Sequence, residues 1–357
     1  MDKMNGIMKT AAQPGATYCT DLPIPEPASD ELLVRVCATA ICGTDKHIYD
    51  WNAWAQARVP TPMVFGHEFS GDVVAVGKNV VGFRPGDRVA AETHIPCGHC
   101  YSCRTGSQHN CEEMKIIGVH VPGCFSDYAV IPQACAWKLA DSISYRHGAM
   151  LEPMGVAVHG VFSGEISMKN VVILGCGPIG VMAVGAAKAG GAASVMAVDV
   201  FDDKLEMAKR LGADMTVNTR SEILKERVMQ WTNGHGADVV IDYTGHVGLI
   251  EEAFDSLRKG GRFTLVGLPS KKLSLDLTNA VIYKEAKING VTGRLMYDTW
   301  YTCERIIEKK TFSLDSVIGG VYDMKDFEKA FEDIAAGHPG KMLLMTPYGR
   351  EKEAAVR

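Results

Sequence analysis

Four cysteines fall within fifteen residues, in the run Cys97-Gly98-His99-Cys100-Tyr101-Ser102-Cys103 followed by Cys111. The spacing C-x2-C-x2-C-x7-C lets four thiolates wrap one tetrahedral ion with no position left open, which suits a structural zinc that ties a loop together. The same spacing is compatible with an iron–sulfur cluster or with buried reduced cysteines that bind nothing. His99 and His109 share the loop and read as surface histidines rather than ligands. A second set is dispersed: Cys42 in Ile41-Cys42-Gly43-Thr44-Asp45-Lys46-His47, then Gly66-His67-Glu68, then Leu151-Glu152-Pro153. One thiolate, one imidazole and one or two carboxylates are what a catalytic zinc uses when it keeps a position for water or substrate. Thr44 and His47, three residues apart, supply a hydroxyl and an imidazole for moving a proton. Helix capping by Thr44 and turn packing by His47 are the alternatives.

The third set is a loop. Val171-Val172-Ile173-Leu174 runs into Gly175-Cys176-Gly177-Pro178-Ile179-Gly180, and apolar residues follow at Val181, Met182, Val184 and Ala187 in a helical pattern. Gly175 allows a tight turn, Gly177 lets the backbone approach a pyrophosphate, and Gly180 lets the helix lie close on its strand. The N–H groups at the helix start then face the phosphates. A second short strand, Ser194 to Val198, ends at Asp199, 19 residues past Gly180. That carboxylate suits the ribose 2′-hydroxyl of NAD and repels a 2′-phosphate, so NAD is expected over NADP.

Two kinds of region must position these groups. From Met8 to about Tyr128 the chain is rich in short β-type runs separated by turns, such as Leu32 to Val36, Ser70 to Val76 and Gly86 to Ala90. From about Met168 strands and helices alternate, with strands near 171–174, 194–198, 238–243 and 262–266, the pattern of a doubly wound parallel sheet. After Gly293 the alternation stops, a helix is expected near Asp298 to Lys309, and Gly349 to Arg357 read as a solvated tail.

With 357 residues, 46% hydrophobic and 22% charged, the chain can bury two sizeable cores. A net charge of -5 and a pI near 6.1 offer no attraction to nucleic acid or an anionic membrane. No run approaches a membrane span, and Met1 to Gly6 lack the apolar core of a secretory signal, so a cytoplasmic location is expected. Eleven cysteines, an odd number with four at ligand spacing, fit a reducing compartment. Cys19, Cys37, Cys124, Cys135, Cys176 and Cys303 read as free, buried thiols.

Taken together, the Gly66-His67-Glu68 block, the four-cysteine lobe and the later dinucleotide fold resemble the zinc-dependent medium-chain dehydrogenases, in the family's order and over nearly the whole chain. The blocks Ile41 to Tyr49 and Trp51 to Gln56, His94, Gly293-Arg294 and Thr299-Trp300-Tyr301 are similar to the branch that oxidises the β-hydroxyl of L-threonine to 2-amino-3-oxobutanoate. A polyol or sugar dehydrogenase on the same scaffold is the second reading, and a non-catalytic NAD- and zinc-binding protein the third. The resemblance implies a GroES-like, mostly β catalytic domain over 1–155 and 294–357, with the zinc lobe at about 94–115. A Rossmann NAD-binding domain would span 156–293, in a homotetramer whose partner is a small hydroxylated substrate. Two zinc ions per subunit are implied, one on Cys97, Cys100, Cys103 and Cys111. The catalytic one would take Cys42, His67 and Glu68, with Glu152 beside it as exchangeable ligand or proton-relay aid. Thr44 and His47 would form the relay. Alongside Gly175, Gly177 and Gly180, the residues Ile179, Asp199 and Lys204 would contact the adenosine half of NAD, and Val266, Gly267, Leu268, Val291 and Thr292 the nicotinamide side. The chain departs from the family at Val156, where a hydrogen-bonding side chain is usual, at Ser316 to Tyr322, and at Lys204, which replaces an arginine.

Overall fold

Strand Glu31–Ala40 reads Glu-Leu-Leu-Val-Arg-Val-Cys-Ala-Thr-Ala and is buried on both faces over most of its length, which makes it the spine of a sheet rather than an edge. In this computed structural model, which describes residues 3–356, it pairs antiparallel with Glu68–Val76 along one side. Its other side is shared: Tyr128–Pro132 pairs with Glu31 to Arg35, and Lys341–Met345 with Ala38 to Ala40. Arg88–Ala91, Ala136–Lys138 and Ile318–Asp323 complete a seven-stranded sheet. The register is decisive for chemistry, because Ala40 stands opposite both Glu68 and Leu343. One end of the sheet therefore gathers Cys42, two residues beyond Ala40, with Glu68 and Lys341. Phe65, Phe69, Phe125, Ile48, Phe327 and Phe331 fill the core on this sheet.

The chain divides into two compact units, one running to Pro153 and resuming at Ile318, the other Met154–Val317. In the second, six parallel strands lie in the order third, second, first, fourth, fifth, sixth: Met215–Asn218, Ser194–Asp199, Asn170–Leu174, Ala237–Asp242, Leu257–Leu265 and Lys287–Gly290. This is the dinucleotide-fold strand order, with its switch point beside Asn170–Leu174. Four of the six strands are the apolar runs expected. The two edge strands, Met-Thr-Val-Asn and Lys-Ile-Asn-Gly, carry too few apolar residues to announce themselves. No helix among the described residues is long and apolar enough to cross a membrane.

Two expectations change. The helix expected near Asp298 is there, as Asp298–Glu308, yet residues 294–317 pack with the second unit, whereas a return to the first had been expected at 294. That helix buries Trp300, Cys303 and Ile306, and Phe312 beyond it lies over Gly185, where an added Cβ would come 2.5 Å from the ring. Residues 349–356 are not a solvated tail, and Arg357 lies outside the described residues. The segment belongs to the helix Pro347–Val356, whose Tyr348 Oη and Lys352 Nζ reach Asp72 at 2.6 and 2.9 Å, while Arg350 Nε donates to Asp323 at 2.8 Å. Its partners lie far back in the sequence, so its polar composition alone reads as exposed.

Gly180 is required by closeness. A Cβ there would stand 1.8 Å from the Gly175 carbonyl oxygen, backbone against backbone with no side chain able to yield. Gly180→Val should destabilise the second unit by at least about 2 kcal/mol, read as a lower denaturation midpoint; a midpoint equal to the parent's would contradict this packing.

Candidate active site and metal centres

Cys42 has extended backbone (φ -95°, ψ 160°) and N-caps the helix Gly43–Asp50. The capping box is completed by Asp45, not Thr44: its Oδ2 accepts the Cys42 N–H at 2.8 Å. The other oxygen of Asp45 lies 3.3 Å from His67 Nδ1. One carboxylate thus orients two candidate ligands, and with Nδ1 facing Asp45 the Nε2 of His67 is left for a metal. Burial works against charge on His67, but Asp45 and Cys42 hold its pKa well above the usual histidine value. Gly66, at φ +88°, turns the chain into this pair, and a Cβ there would come 2.2 Å from the Phe125 ring.

Glu68 is 0% exposed, and both its oxygens face Lys341 Nζ, at 2.7 and 2.6 Å. Burial pushes the Glu68 carboxyl up to about 7 against the pull of Lys341, and Glu68 in turn supports the charge on the buried ammonium. Donor atoms of Cys42, His67 and Glu68 all lie within 4.8 Å of one another. Glu152, buried on the helix Tyr145–Phe162, is near enough to influence Glu68 and Lys341 but does not belong to that group of three. Thiolate, imidazole and carboxylate are the donor types of a zinc site with an open position. Glu68, Cys42 and Glu152 all favour the charged form of the buried Lys341 ammonium.

Thr44 and His47 share one face of the helix, with Thr44 half-buried and His47 exposed. The Trp54 ring lies 6.1 Å from His47, and Trp51 packs on the first core beneath Lys9, whose Nζ stands 4.9 Å from its ring.

The four cysteines of the lobe converge. Their sulfurs lie within 4.8 Å of one another, and Cys100 Sγ and Cys111 Sγ are 3.9 Å apart. Sulfurs about 2.3 Å from one tetrahedral zinc are about 3.8 Å apart, so the cradle fits the ion. Backbone N–H groups of Cys97 and Cys100 donate to Cys111 Sγ and Cys97 Sγ at 3.2 and 3.3 Å. The hairpin His94–Ile95 with Lys115–Ile116 closes the lobe at its base. His99 is exposed, with Nε2 3.2 Å from Glu113. All eleven cysteines are free, and Cys19 is only half-buried.

In the second unit the glycine turn follows Asn170–Leu174. Gly175 adopts φ +91°, Gly177 N-caps the helix Pro178–Ala189, and Ile179 lies half-buried in its first turn. Val266 and Gly267 donate to the Asp242 carbonyl at 3.0 and 2.9 Å, and Val291 to that of Leu265 at 2.9 Å. These residues, with Leu268 and Thr292, therefore lie at the carboxyl ends of the parallel strands, where such folds bind ligands. Asp199 does more than the spacing implied. Its carboxylate accepts the N–H groups of Cys176, Val200 and Phe201 at 2.7, 2.7 and 3.1 Å, clamping the glycine turn. Lys204 Nζ sits 4.5 Å from the Phe201 ring, and Arg220 stands 4.6 Å from the same ring.

Sequence reasoning missed Asp45, Lys341 and Arg220. The capping-box spacing from Cys42 to Asp45 was a usable signal. Lys341 and Arg220 had none, since each reaches its place through strand pairing. Because removing one partner leaves a buried charge unpaired, Lys341→Met should cost about 3–5 kcal/mol in the metal-free protein. Urea unfolding checks this, and a variant as stable as the parent would contradict the pairing.

Two family models match the chain: the alcohol dehydrogenase GroES-like domain over residues 28–141 and the zinc-binding dehydrogenase over 178–309. The chain is 42% identical to L-threonine 3-dehydrogenase of Pyrococcus abyssi, covering 96% of this chain and 99% of that one. It is 41% identical to the Bacillus subtilis enzyme of the same name, with the same coverage. Among solved structures, galactitol-1-phosphate dehydrogenase from Escherichia coli aligns with a TM-score of 0.88 at 28% identity, over 96% of this chain and 100% of that one. A short chain alcohol dehydrogenase from Escherichia coli CFT073, complexed with NADH, aligns at 0.87 and 29%, over 96% and 99%. The sulfur cradle, the Cys42, His67 and Glu68 group, and near-full-length identity to these relatives place the chain in the zinc-dependent medium-chain dehydrogenase family.

Proposed function

We propose that this protein oxidises the β-hydroxyl of L-threonine to 2-amino-3-oxobutanoate, with zinc at Cys42, His67 and Glu68 and NAD as hydride acceptor. The observation that carries the reading is the group of half-buried Cys42 with buried His67 and Glu68, in a chain 41–42% identical, nearly end to end, to relatives named L-threonine 3-dehydrogenase. When bound, zinc acidifies a coordinated hydroxyl and NAD accepts hydride from its carbon.

The chain's own residues do the rest. Asp45 holds Cys42 and His67 in one geometry, so the ligand set is formed before any ion arrives. Lys341 neutralises Glu68 and limits the charge that a substrate meets. Glu152 adds a second carboxylate beside this pair, able to exchange onto the metal or assist a proton. Thr44 and His47 offer a hydroxyl and an imidazole through which a proton can pass between the site and solvent. At the nucleotide end, Gly175 and Gly177 admit the pyrophosphate, Gly180 seats the helix, and Ile179, Asp199 and Lys204 receive the adenosine half. Val266, Gly267, Leu268, Val291 and Thr292 serve the nicotinamide side. Cys97, Cys100, Cys103 and Cys111 hold the second, structural zinc. The free thiols fit a reducing cytoplasm, and family likeness supports a homotetramer built from GroES-like and Rossmann domains.

Initial rates of NADH formation with L-threonine, D-threonine, L-serine and a set of polyols test the reading. A clear preference for L-threonine is expected. Turnover of polyols with threonine untouched would overturn the substrate and point to Val156 and the segment 316–322 as where specificity changed.

A further inference from the structure

Asn52 follows the helix Gly43–Asp50 after Trp51, which adopts the left-handed conformation (φ +53°), and it N-caps the short helix Ala53–Gln56. Its side-chain Oδ1 accepts the backbone N–H of Ala55 at 3.1 Å. That bond settles which way the amide faces, because an amide nitrogen has no lone pair with which to cap a helix. The NH2 end is thereby turned to His47, with Nδ2 standing 2.8 Å from His47 Nδ1. An NH2 group only donates, so Nδ1 accepts, and the hydrogen of the neutral ring sits on Nε2.

The neighbourhood holds this arrangement in place. The Asn52 N–H donates to the His47 carbonyl at 3.3 Å, and Gln56 Nε2 to the Trp51 carbonyl at 2.8 Å. Lys9 Nζ, on the strand Lys3–Lys9, donates to the carbonyls of Gly15 and Tyr49 at 2.7 and 3.2 Å, anchoring the end of the helix that carries His47.

We propose that Asn52 is a positioning residue for His47: it fixes the ring's orientation and its Nε2–H tautomer, so that His47 meets a hydroxyl of bound substrate or cofactor as a hydrogen-bond donor. The inference rests on the reading of His47 as part of the proton path. Nε2 can take a proton from that hydroxyl only after the ring hydrogen has moved to Nδ1, which requires the bond from Asn52 to open. The tautomer therefore decides whether Nε2 gives or receives.

Asn52→Asp is the informative variant. Asp caps a helix as well as Asn does, so the loop is kept, but its carboxylate accepts where the amide donated and draws the ring hydrogen to Nδ1. Nitrogen-15 NMR of histidine-labelled, zinc-loaded enzyme at mildly alkaline pH, with His47 assigned by its loss in His47→Gln, reads the tautomer directly. The parent should show an accepting Nδ1 and a protonated Nε2, and Asn52→Asp should exchange the two signals without lowering the melting temperature. Asn52→Gly, which caps nearly as well but offers no donor, should populate both tautomers. A protonated Nδ1 in the parent, or the same tautomer in parent and Asn52→Asp, overturns the proposal. Turnover tests the underlying reading separately: kcat should change by at least about fivefold in Asn52→Asp. Exchanged signals with kcat unchanged would leave Asn52 in its role and remove His47 from the proton path.

Discussion

A carboxylate with no exposed surface needs a charged or hydrogen-bonding partner, and for Glu68 that partner is Lys341, 273 residues further along the chain. The contact is possible only because Ala40 is paired with Glu68 on one side and with Leu343 on the other. The strand that supplies Lys341 also leads into the closing helix, which is fastened through Tyr348 and Lys352 to Asp72, four residues beyond Glu68 on the same strand. The end of the chain is thus tied twice to one strand, once at the candidate metal site and once behind it. Cys42 and His67 hang from the same framework, steadied by the single carboxylate of Asp45.

The second unit relies on closeness rather than charge. The glycine turn fits because Gly180 lies against the Gly175 carbonyl and because Asp199 takes up backbone N–H groups around the turn. An acid at the end of the second strand therefore shapes the glycine turn. Lys204 and Arg220 both stand over the ring of Phe201, two residues beyond that acid.

Much of the fold and the site was legible because the signals are local. Four cysteines within one loop, G-x-G-x-x-G after an apolar strand, and Gly66-His67-Glu68 each declare their chemistry within a few residues, and the observed sulfur cradle and glycine turn follow from those spacings. What escaped is non-local. Lys341 opens an apolar strand and looks like an ordinary exposed lysine until pairing buries it. The closing helix is polar in composition, and its docking depends on Asp72. Residues 294–317 stay with the second unit, where Phe312 packs over Gly185, and no periodicity announces that. Asp45 lies between these cases, since its capping-box spacing was visible although its reach to His67 was not.

On the proposed function, Cys42, His67 and Glu68 hold one metal ion while the cysteine lobe holds another. Zinc content per chain, measured on purified parent and Cys42→Ser proteins alongside turnover, tests it most directly. The expected result is two zinc ions in the parent, and one in a folded, inactive Cys42→Ser. Two zinc ions and undiminished turnover in that variant would contradict it.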